Sequence, residues 1–348
     1  MKKLKFAVIG CGGIGQEHIK ILQKLKNTEI SAGAETNPEK QKEIRDKYNI
    51  KVYTDYKELL ENEELDACII ASPHYTHAEI GLECIKRGIH ILVEKPVDID
   101  YKRAESFVRE AKINGVKLAV VSQYRFTDGF KELKRIVETG ILGKVFLVDV
   151  ILKWFRGEEY YADSKWRGKL SSEGGGTLIT QALHFLDQIL WIFGDVDSVM
   201  GEMGTFRHNA EVEDTIAAVA RLKNGAICNI ISSCAVYPGF MERMEVHGSK
   251  GSVIIERDSI IFKDFESEKE KLQTPGKELS IIKTVNNPVN NDIDLAREIE
   301  IMEFCSSVMD DKPVQVTGED GLKALKFALA IYSAVRNNNR LKMDDFLP

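Results

Sequence analysis

Apolar and polar positions follow two rhythms along the chain. In the first third, short apolar runs recur between amphipathic stretches of helical period. The runs at 5–9, 29–34, 67–71, 89–93 and 117–121 predict strands. The stretches at 14–25, 38–48, 56–61, 77–87 and 101–114 predict helices, with Pro38 in a first turn and Asp55 and Asp100 as N-caps. Apolar strands separated by helices imply a doubly wound parallel sheet, buried on both faces. From Phe126 the rhythm changes. A helix at 128–139 precedes a long strand at 144–153 and a loop rich in aromatics and charge. Gly174-Gly175-Gly176 then opens a helix that runs through Trp191 and ends at Gly194. Strands follow at 196–203, 215–222, 226–231, 241–246 and 252–256, with Asn224-Gly225 as a hairpin turn. This half reads as an α+β domain with a large, mostly antiparallel open sheet. A polar stretch at 263–287 reads as loop with a strand near 279–283, and helices at 294–309 and 319–337 close the chain. The change of rhythm at Phe126 sets the expected domains at 1–125 and 126–348.

Composition narrows the class. The chain has 348 residues, enough for two domains. At 43% hydrophobic and 29% charged it is ordinary for a soluble globular protein. A net charge of −6 with interspersed signs leaves no electrostatic footprint for nucleic acid or an anionic membrane. The six cysteines form no C-x-x-C pair, which points to a reducing compartment and away from a disulfide or zinc framework. No run approaches the ~18 apolar residues of a membrane helix. The start Met1-Lys2-Lys3 imitates a signal peptide, but Gly12, Gly13 and Gly15 interrupt the apolar region too early. The expectation is a cytoplasmic protein.

The chemistry gathers at strand ends. The first apolar run ends in Gly10-Cys11-Gly12-Gly13-Ile14-Gly15, the spacing G-x-G-x-x-G, followed by a helix. Gly10 permits the tight turn, Gly12 lets backbone approach a pyrophosphate, and Gly15 lets the helix pack on the strand. Gly13 and Ile14 open that helix, whose N-terminus favours negative charge. An acid about 20 residues on completes the pattern. Here it is Glu35, followed by Thr36. A carboxylate there accepts both ribose hydroxyls and repels a 2′-phosphate, so NAD is expected in preference to NADP. Cys11 fits a position that needs a small residue. The other carboxyl ends carry Ser72-Pro73-His74, Glu94-Lys95-Pro96 and Gln123-Tyr124-Arg125. No His/Cys/Asp cluster has metal-ligand spacing.

The order of these motifs is identified with a known family. The glycine fingerprint, Ser72-Pro73 with His77, Glu94-Lys95-Pro96, and Gly174-Gly175-Gly176 with His184 and Asp187 resemble the glucose–fructose oxidoreductase / inositol dehydrogenase / rhizopine catabolism (Gfo/Idh/MocA) family. The resemblance extends to Val316-Thr317-Gly318-Glu319-Asp320. It implies an NAD(P)-dependent oxidoreductase of a sugar, cyclitol or nucleotide sugar, with a Rossmann NAD-binding domain at 1–125 and a substrate-binding domain at 126–348 whose sheet makes the dimer or tetramer. A narrower likeness, in Trp154-Phe155-Arg156, Tyr160-Tyr161 and Trp166-Arg167-Gly168, is to a branch that oxidises C3 of hexoses or hexosaminuronates.

On this resemblance the catalytic pair is Lys95 and His184. An ammonium stabilises a developing alkoxide, and imidazole is the commonest general acid/base at neutral pH. Asp187 either orients the His184 ring or pairs elsewhere. Thr180 stands where many members carry an aspartate four residues before the histidine. Arg156, Tyr161, Trp166, Arg167 and Thr180 are the expected substrate contacts. Gly10, Gly12, Gly13, Ile14, Glu35, Thr36, Ser72, Pro73, His77, Glu94, Lys95 and Gln123 are the expected cofactor contacts. Two other readings stay open. One is a redox-silent NAD-binding sugar sensor. The other is an NAD-dependent glycosidase.

Overall fold

Six parallel strands organise the first part of the chain. The computed structural model describes residues 3–162, 166–266 and 293–348, which fall into two units. The first unit holds the chain up to Ser122 together with Ser171–Gly174 and Arg297–Leu325. The second holds Gln123–Leu170, Gly175–Ala296 and Lys326–Pro348.

In the first unit β1 (Leu4–Ile9), α1 (Gly13–Lys24), β2 (Thr28–Ala34), α2 (Pro38–Tyr48), β3 (Lys51–Tyr53) and α3 (Tyr56–Asn62) come in turn. They are followed by β4 (Ala67–Ile70), α4 (His77–Ile85), β5 (His90–Val93), α5 (Tyr101–Ile113) and β6 (Leu118–Val120). The sheet order is β3-β2-β1-β4-β5-β6, parallel throughout. The five expected strands are present; β3 is a sixth. It has three residues, lies at the sheet edge and buries little, so it carries no apolar run. Helix starts follow local chemistry. Asp55 accepts from the Lys57 N–H and Asp100 from the Arg103 N–H. At α2, Asn37 accepts from Glu39 and Lys40 N–H, one residue before Pro38. The core packs Leu4, Phe6 and Val8 of β1 with Ile19 and Leu22 of α1 and Ile44 of α2. The late helix Ile293–Met309 completes it with Ile301, Phe304 and Cys305.

The second unit contains α6 (Asp128–Glu138), β7 (Val145–Lys153), α7 (Glu159–Ala162), then α8 (Leu170–Glu173), which crosses into the first unit's residues. Next come α9 (Thr177–Thr180), α10 (Leu183–Phe193), β8 (Val196–Gly204), β9 (Thr215–Leu222) and β10 (Ile227–Ser233). β11 (Arg243–Gly248), β12 (Gly251–Glu256) and β13 (Ser259–Phe265) follow. The chain then runs through α11 (Ile293–Met309), α12 (Gly318–Arg336) and β14 (Leu341–Lys342). Eight strands pair as β13-β12-β11-β7-β10-β9-β8-β14. Only the β7–β10 pair is parallel. Asn224-Gly225 turns β9 into β10, with Gly225 at φ +93°. Helix α6 packs against β12 and β13 and α9 against β9 and β10, and Val148, Val150 and Leu152 of the central β7 are buried. The opposite face presents Met200, Val219 and Ile227 to solvent, with Asn229 donating to Asp149 Oδ1 at 2.6 Å between them.

Two expectations are corrected. Residues 263–265 belong to β13, because the antiparallel ladder with β12 continues through them, pairing Lys263 with Val253 and Phe265 with Gly251, although their side chains read as polar loop. The rest of that stretch, with the strand expected at 279–283, lies outside the described residues. The single helix expected from the glycines to Trp191 is broken into α9 and α10. Gln181 and Ala182 N–H both donate to the Thr177 carbonyl, so the bond from Ala182 spans one residue too many for an α-helix. Thr180 and His184 therefore do not share one regular helix.

Candidate functional site

The glycine turn builds a bare helix N-terminus. Gly10 has φ +91°, and a Cβ there would lie 2.5 Å from Ser72 N. A Cβ on Gly15 would lie 2.0 Å from the Gly10 carbonyl, so only glycine lets α1 approach β1 this closely. Around Gly12 and Gly13 the space is clear to 4 Å. Gly12 is the N-cap of α1, with no side-chain cap and no acid in the first turn, where Ile14 follows. Unspent N–H groups facing open space suit a pyrophosphate, so the residues present fit a dinucleotide. Glu35, half-buried at the end of β2, accepts from the Asn37 N–H at 2.9 Å, and Thr36 beside it is exposed. Cys11 is fully buried; burial, then the charge of Glu35, pushes its thiol up to about 12, so it stays protonated.

The carboxyl ends of β4 and β5 are tied together by imidazoles. Both ring nitrogens of the buried His77 meet carbonyls, Pro96 O at 2.7 Å and Ser72 O at 2.8 Å. His77 thus braces the Ser72-Pro73 loop against the loop after Lys95, and burial holds its pKa below the ordinary value. Ser72 Oγ is 2.7 Å from Thr76 Oγ1, which also donates to the Pro73 carbonyl. His74 lies against the Glu173 carbonyl at 3.1 Å. Burial, then the neighbouring charges of Lys95 and His77, keep it neutral. Glu94 faces inward, and His18 Nε2 of α1 lies 2.9 Å from its Oε1. Lys95 is half-buried at the end of β5. Sequence reasoning missed the brace at His18, whose signal is its place one turn after Gly15.

In the second unit His184 opens α10 half-buried, its ring 5.5 Å from that of Tyr124. Arg125 grips Asp187 through Nε at 2.8 Å and a second, shorter bond, a pairing of the kind expected as one of its two roles. Gln123 is buried, and its side-chain oxygen has no partner among the described residues. Glu213, absent from the sequence reading, sits under α9. It accepts from Gly176 N–H at 2.8 Å, Leu178 N–H at 3.0 Å and Tyr332 Oη at 2.8 Å. A Cβ on Gly176 would lie 1.8 Å from the Glu213 carbonyl, and one on Gly175 2.2 Å from Tyr332 Oη, which is why glycines precede α9. Thr180 Oγ1 donates to the Gly176 carbonyl at 2.8 Å.

Arg156, Tyr160, Trp166 and Arg167 come together. The Arg167 guanidinium lies 4.0 Å from the Tyr160 ring centre and 5.4 Å from that of Trp166. The Arg156 guanidinium lies 5.4 Å from Tyr160 and 5.2 Å from Trp154. Gln181 links the cluster, accepting from Arg156 at 3.4 Å and donating to Tyr160 Oη at 3.1 Å. Tyr161 turns aside, with its hydroxyl 3.4 Å from Cys234 Sγ and its ring 4.8 Å from His208. His208 was not foreseen either. Its Nε2 meets the Arg156 carbonyl at 2.8 Å and its Nδ1 meets Asp214 Oδ2 at 3.1 Å. Burial favours the neutral form of Asp214. The bonds from Arg207, Phe206 and His208 N–H outweigh that and hold it below its ordinary 3.8.

Comparison with known proteins identifies the fold's relatives. Residues 4–122 match the oxidoreductase family with an NAD-binding Rossmann fold, and residues 130–254 match the GFO/IDH/MocA C-terminal domain. The chain belongs to the GFO/IDH/MocA oxidoreductase family. The WlbA dehydrogenase of Bordetella pertussis, solved with NADH and UDP-GlcNAcA, is similar with a TM-score of 0.86 at 26% identity, over 100% of this chain and 99% of that one. Myo-inositol 2-dehydrogenase of Thermotoga maritima is 25% identical over 99% of this chain and all of its own. Glucose-6-phosphate 3-dehydrogenase of Bacillus subtilis is 27% identical over 71% of this chain and 72% of its own. This GFO/IDH/MocA protein is therefore an NAD-binding oxidoreductase. No helix among the described residues is long and apolar enough to cross a membrane.

Proposed function

We propose that this GFO/IDH/MocA chain interconverts a secondary hydroxyl and a ketone on a sugar, cyclitol or nucleotide sugar, using NAD(H). The observation that supports it best is the uncapped N-terminus of α1 behind Gly10, Gly12 and Gly15, with Lys95 at the carboxyl edge of the same sheet. The bound nicotinamide would accept the hydride from the carbinol carbon. Lys95 donates a hydrogen bond to the hydroxyl oxygen as negative charge develops on it. His184 takes the hydroxyl proton at an imidazole nitrogen and returns it in the reverse direction. Gly12, Gly13 and Ile14 hold phosphate, Glu35 and Thr36 the adenosine ribose, and the Ser72-Pro73 loop, Glu94 and Gln123 position the rest of the cofactor. Arg156, Trp166, Arg167 and Thr180 hold substrate. The exposed face of the second unit's sheet supports a homodimer or homotetramer.

The test is a panel of cyclitols, hexoses, hexuronates, sugar phosphates and UDP-sugars, followed by NADH absorbance and by product mass. Oxidation of a member to a ketone is expected. Release of an aglycone from aryl glycosides without net NADH would replace this reading with the glycosidase. NAD binding with no turnover on any member would replace it with the sensor.

A further inference from the structure

Arg156 and Arg167, both half-buried, differ from the buried Arg125 of their unit. Arg125 is met by a carboxylate through two bonds. Neither Arg156 nor Arg167 has an ion-pair partner among the described residues. The Nε of each is buried and without a hydrogen-bond partner among the described residues. The remaining contacts are long: Arg156 to Gln181 Oε1 at 3.4 Å and Arg167 to the Tyr160 carbonyl at 3.4 Å. What the two cations do have is rings. They share Tyr160, and each has a tryptophan besides. A ring face offsets positive charge without using an N–H, so the in-plane edges of both guanidiniums stay available to an acceptor.

Two like charges on one tyrosine ring repel, and half-burial removes part of the water that would screen them. The protein nevertheless fixes one of them firmly. The Arg156 N–H donates to the Cys234 carbonyl at 2.7 Å. Its carbonyl is held by His208, which is held by Asp214. The backbone is locked while most of the side-chain donors remain unspent, the arrangement of an anchor organised before its ligand arrives. A neutral polyol would leave the charge uncompensated. A carboxylate or phosphate would cancel it and accept a planar fork.

The geometry points to an anion site: Arg156 and Arg167 together take a carboxylate or phosphate group carried by the substrate. This rests on the oxidoreductase reading for the identity of the ligand as a substrate, though not for its binding.

The experiment is calorimetric titration of the NADH-loaded protein with glucose, glucuronate, glucose 6-phosphate and UDP-glucuronate. At least one acidic probe is expected to bind at least about 10-fold more tightly than glucose, as charge-assisted hydrogen bonds allow. Preference for glucuronate over glucose 6-phosphate assigns the group as carboxylate, and the reverse as phosphate. Arg156→Met and Arg167→Met should each erase that preference, with NADH affinity and melting temperature as wild type. Arg156→Lys, which keeps the charge and loses the fork, should fall between and guards against a folding defect in the methionine variant. Equal binding of acidic and neutral probes, failure of every acidic probe at millimolar concentration, or a preference untouched by both methionine variants would overturn the site. Acid-selective binding without hydride transfer keeps the site and discards the reaction. Turnover of a neutral cyclitol without acid preference does the reverse.

Discussion

In the proposed reaction Lys95 and His184 manage one proton. Lys95→Ala and His184→Ala should each leave NAD affinity and the fold intact and lower kcat by at least ~10²-fold, the low end for a positioned acid/base or oxyanion donor. If they act on one hydroxyl, the double variant falls short of the product of the single losses. Lys95→Arg should not rescue, since guanidinium is bulkier and keeps its proton. Steady-state and single-turnover kinetics measure all three, and full turnover by Lys95→Ala would remove lysine from the chemistry. Glu35 sets a second test. In the proposed reading its carboxylate meets the adenosine ribose and repels a 2′-phosphate, so Glu35→Ser should raise kcat/KM for NADP relative to NAD by at least about 10-fold. An unchanged ratio would place cofactor choice elsewhere. Gly10 and Gly15 were legible because the G-x-G-x-x-G spacing alone names them, whereas Lys95 was named only by its place in the Glu94-Lys95-Pro96 motif of the family resemblance. His18, His208 and Glu213 were not, because each acts on a partner far away in sequence: Glu94, Arg156 and the start of α9.

At the scale of elements, the sequence was legible wherever burial imposes a period. α2 and β9 begin and end where the pattern places them. The short edge strands β3 and β14 bury too little to leave a pattern. The interruption between α9 and α10 is invisible for another reason. Its apolar positions continue through it, while the break is made by backbone bonds to Thr177 and by Glu213 beneath Gly176. The loop carrying Arg156 gives a pH test. The depressed pKa of Asp214 means the folded state releases its proton more readily than the unfolded chain. Its contribution is therefore full above the ordinary 3.8 and is lost as pH falls through the lower folded value. Asp214→Asn turns an amide N–H toward backbone donors and should lower Tm at pH 7 by at least about 2 °C. The gap to wild type should close as pH drops below 3.8. A gap of constant size from neutral to acid pH would mean that the charge of Asp214 contributes nothing.

For the whole molecule, the second unit's sheet covers one face with helices and leaves the other with Met200, Val219 and Ile227 exposed. Ile231 and Ile151 sit opposite each other near the middle of that face, half-buried within one chain. The face also carries Asp149, Asn229 and Glu245, and its exposed apolar side chains are what a second copy covers in the proposed assembly. Sedimentation at micromolar concentration should show a dimer or larger, and Ile231→Arg should shift it toward monomer while the isolated chain keeps its fold. A wild-type monomer at that concentration would end the proposal.

The order in which the chain is made bears on the first unit. Phe6 of β1 packs edge-on to Phe304, 6.3 Å between ring centres, and Ile301 and Cys305 seal the same core. Those residues leave the ribosome long after Ser122. At ordinary rates of synthesis the delay is on the order of 10 s. During that interval the nascent dinucleotide-binding sheet has one side of β1 uncovered, a surface for chaperones and for misfolding alike. A fragment ending at residue 125 should therefore bind NAD poorly and aggregate, and adding the helix Ile293–Met309 as a peptide should restore part of its affinity. That outcome would make nucleotide binding a late event in the protein's biosynthesis, although the glycine turn proposed to perform it is among the first parts translated.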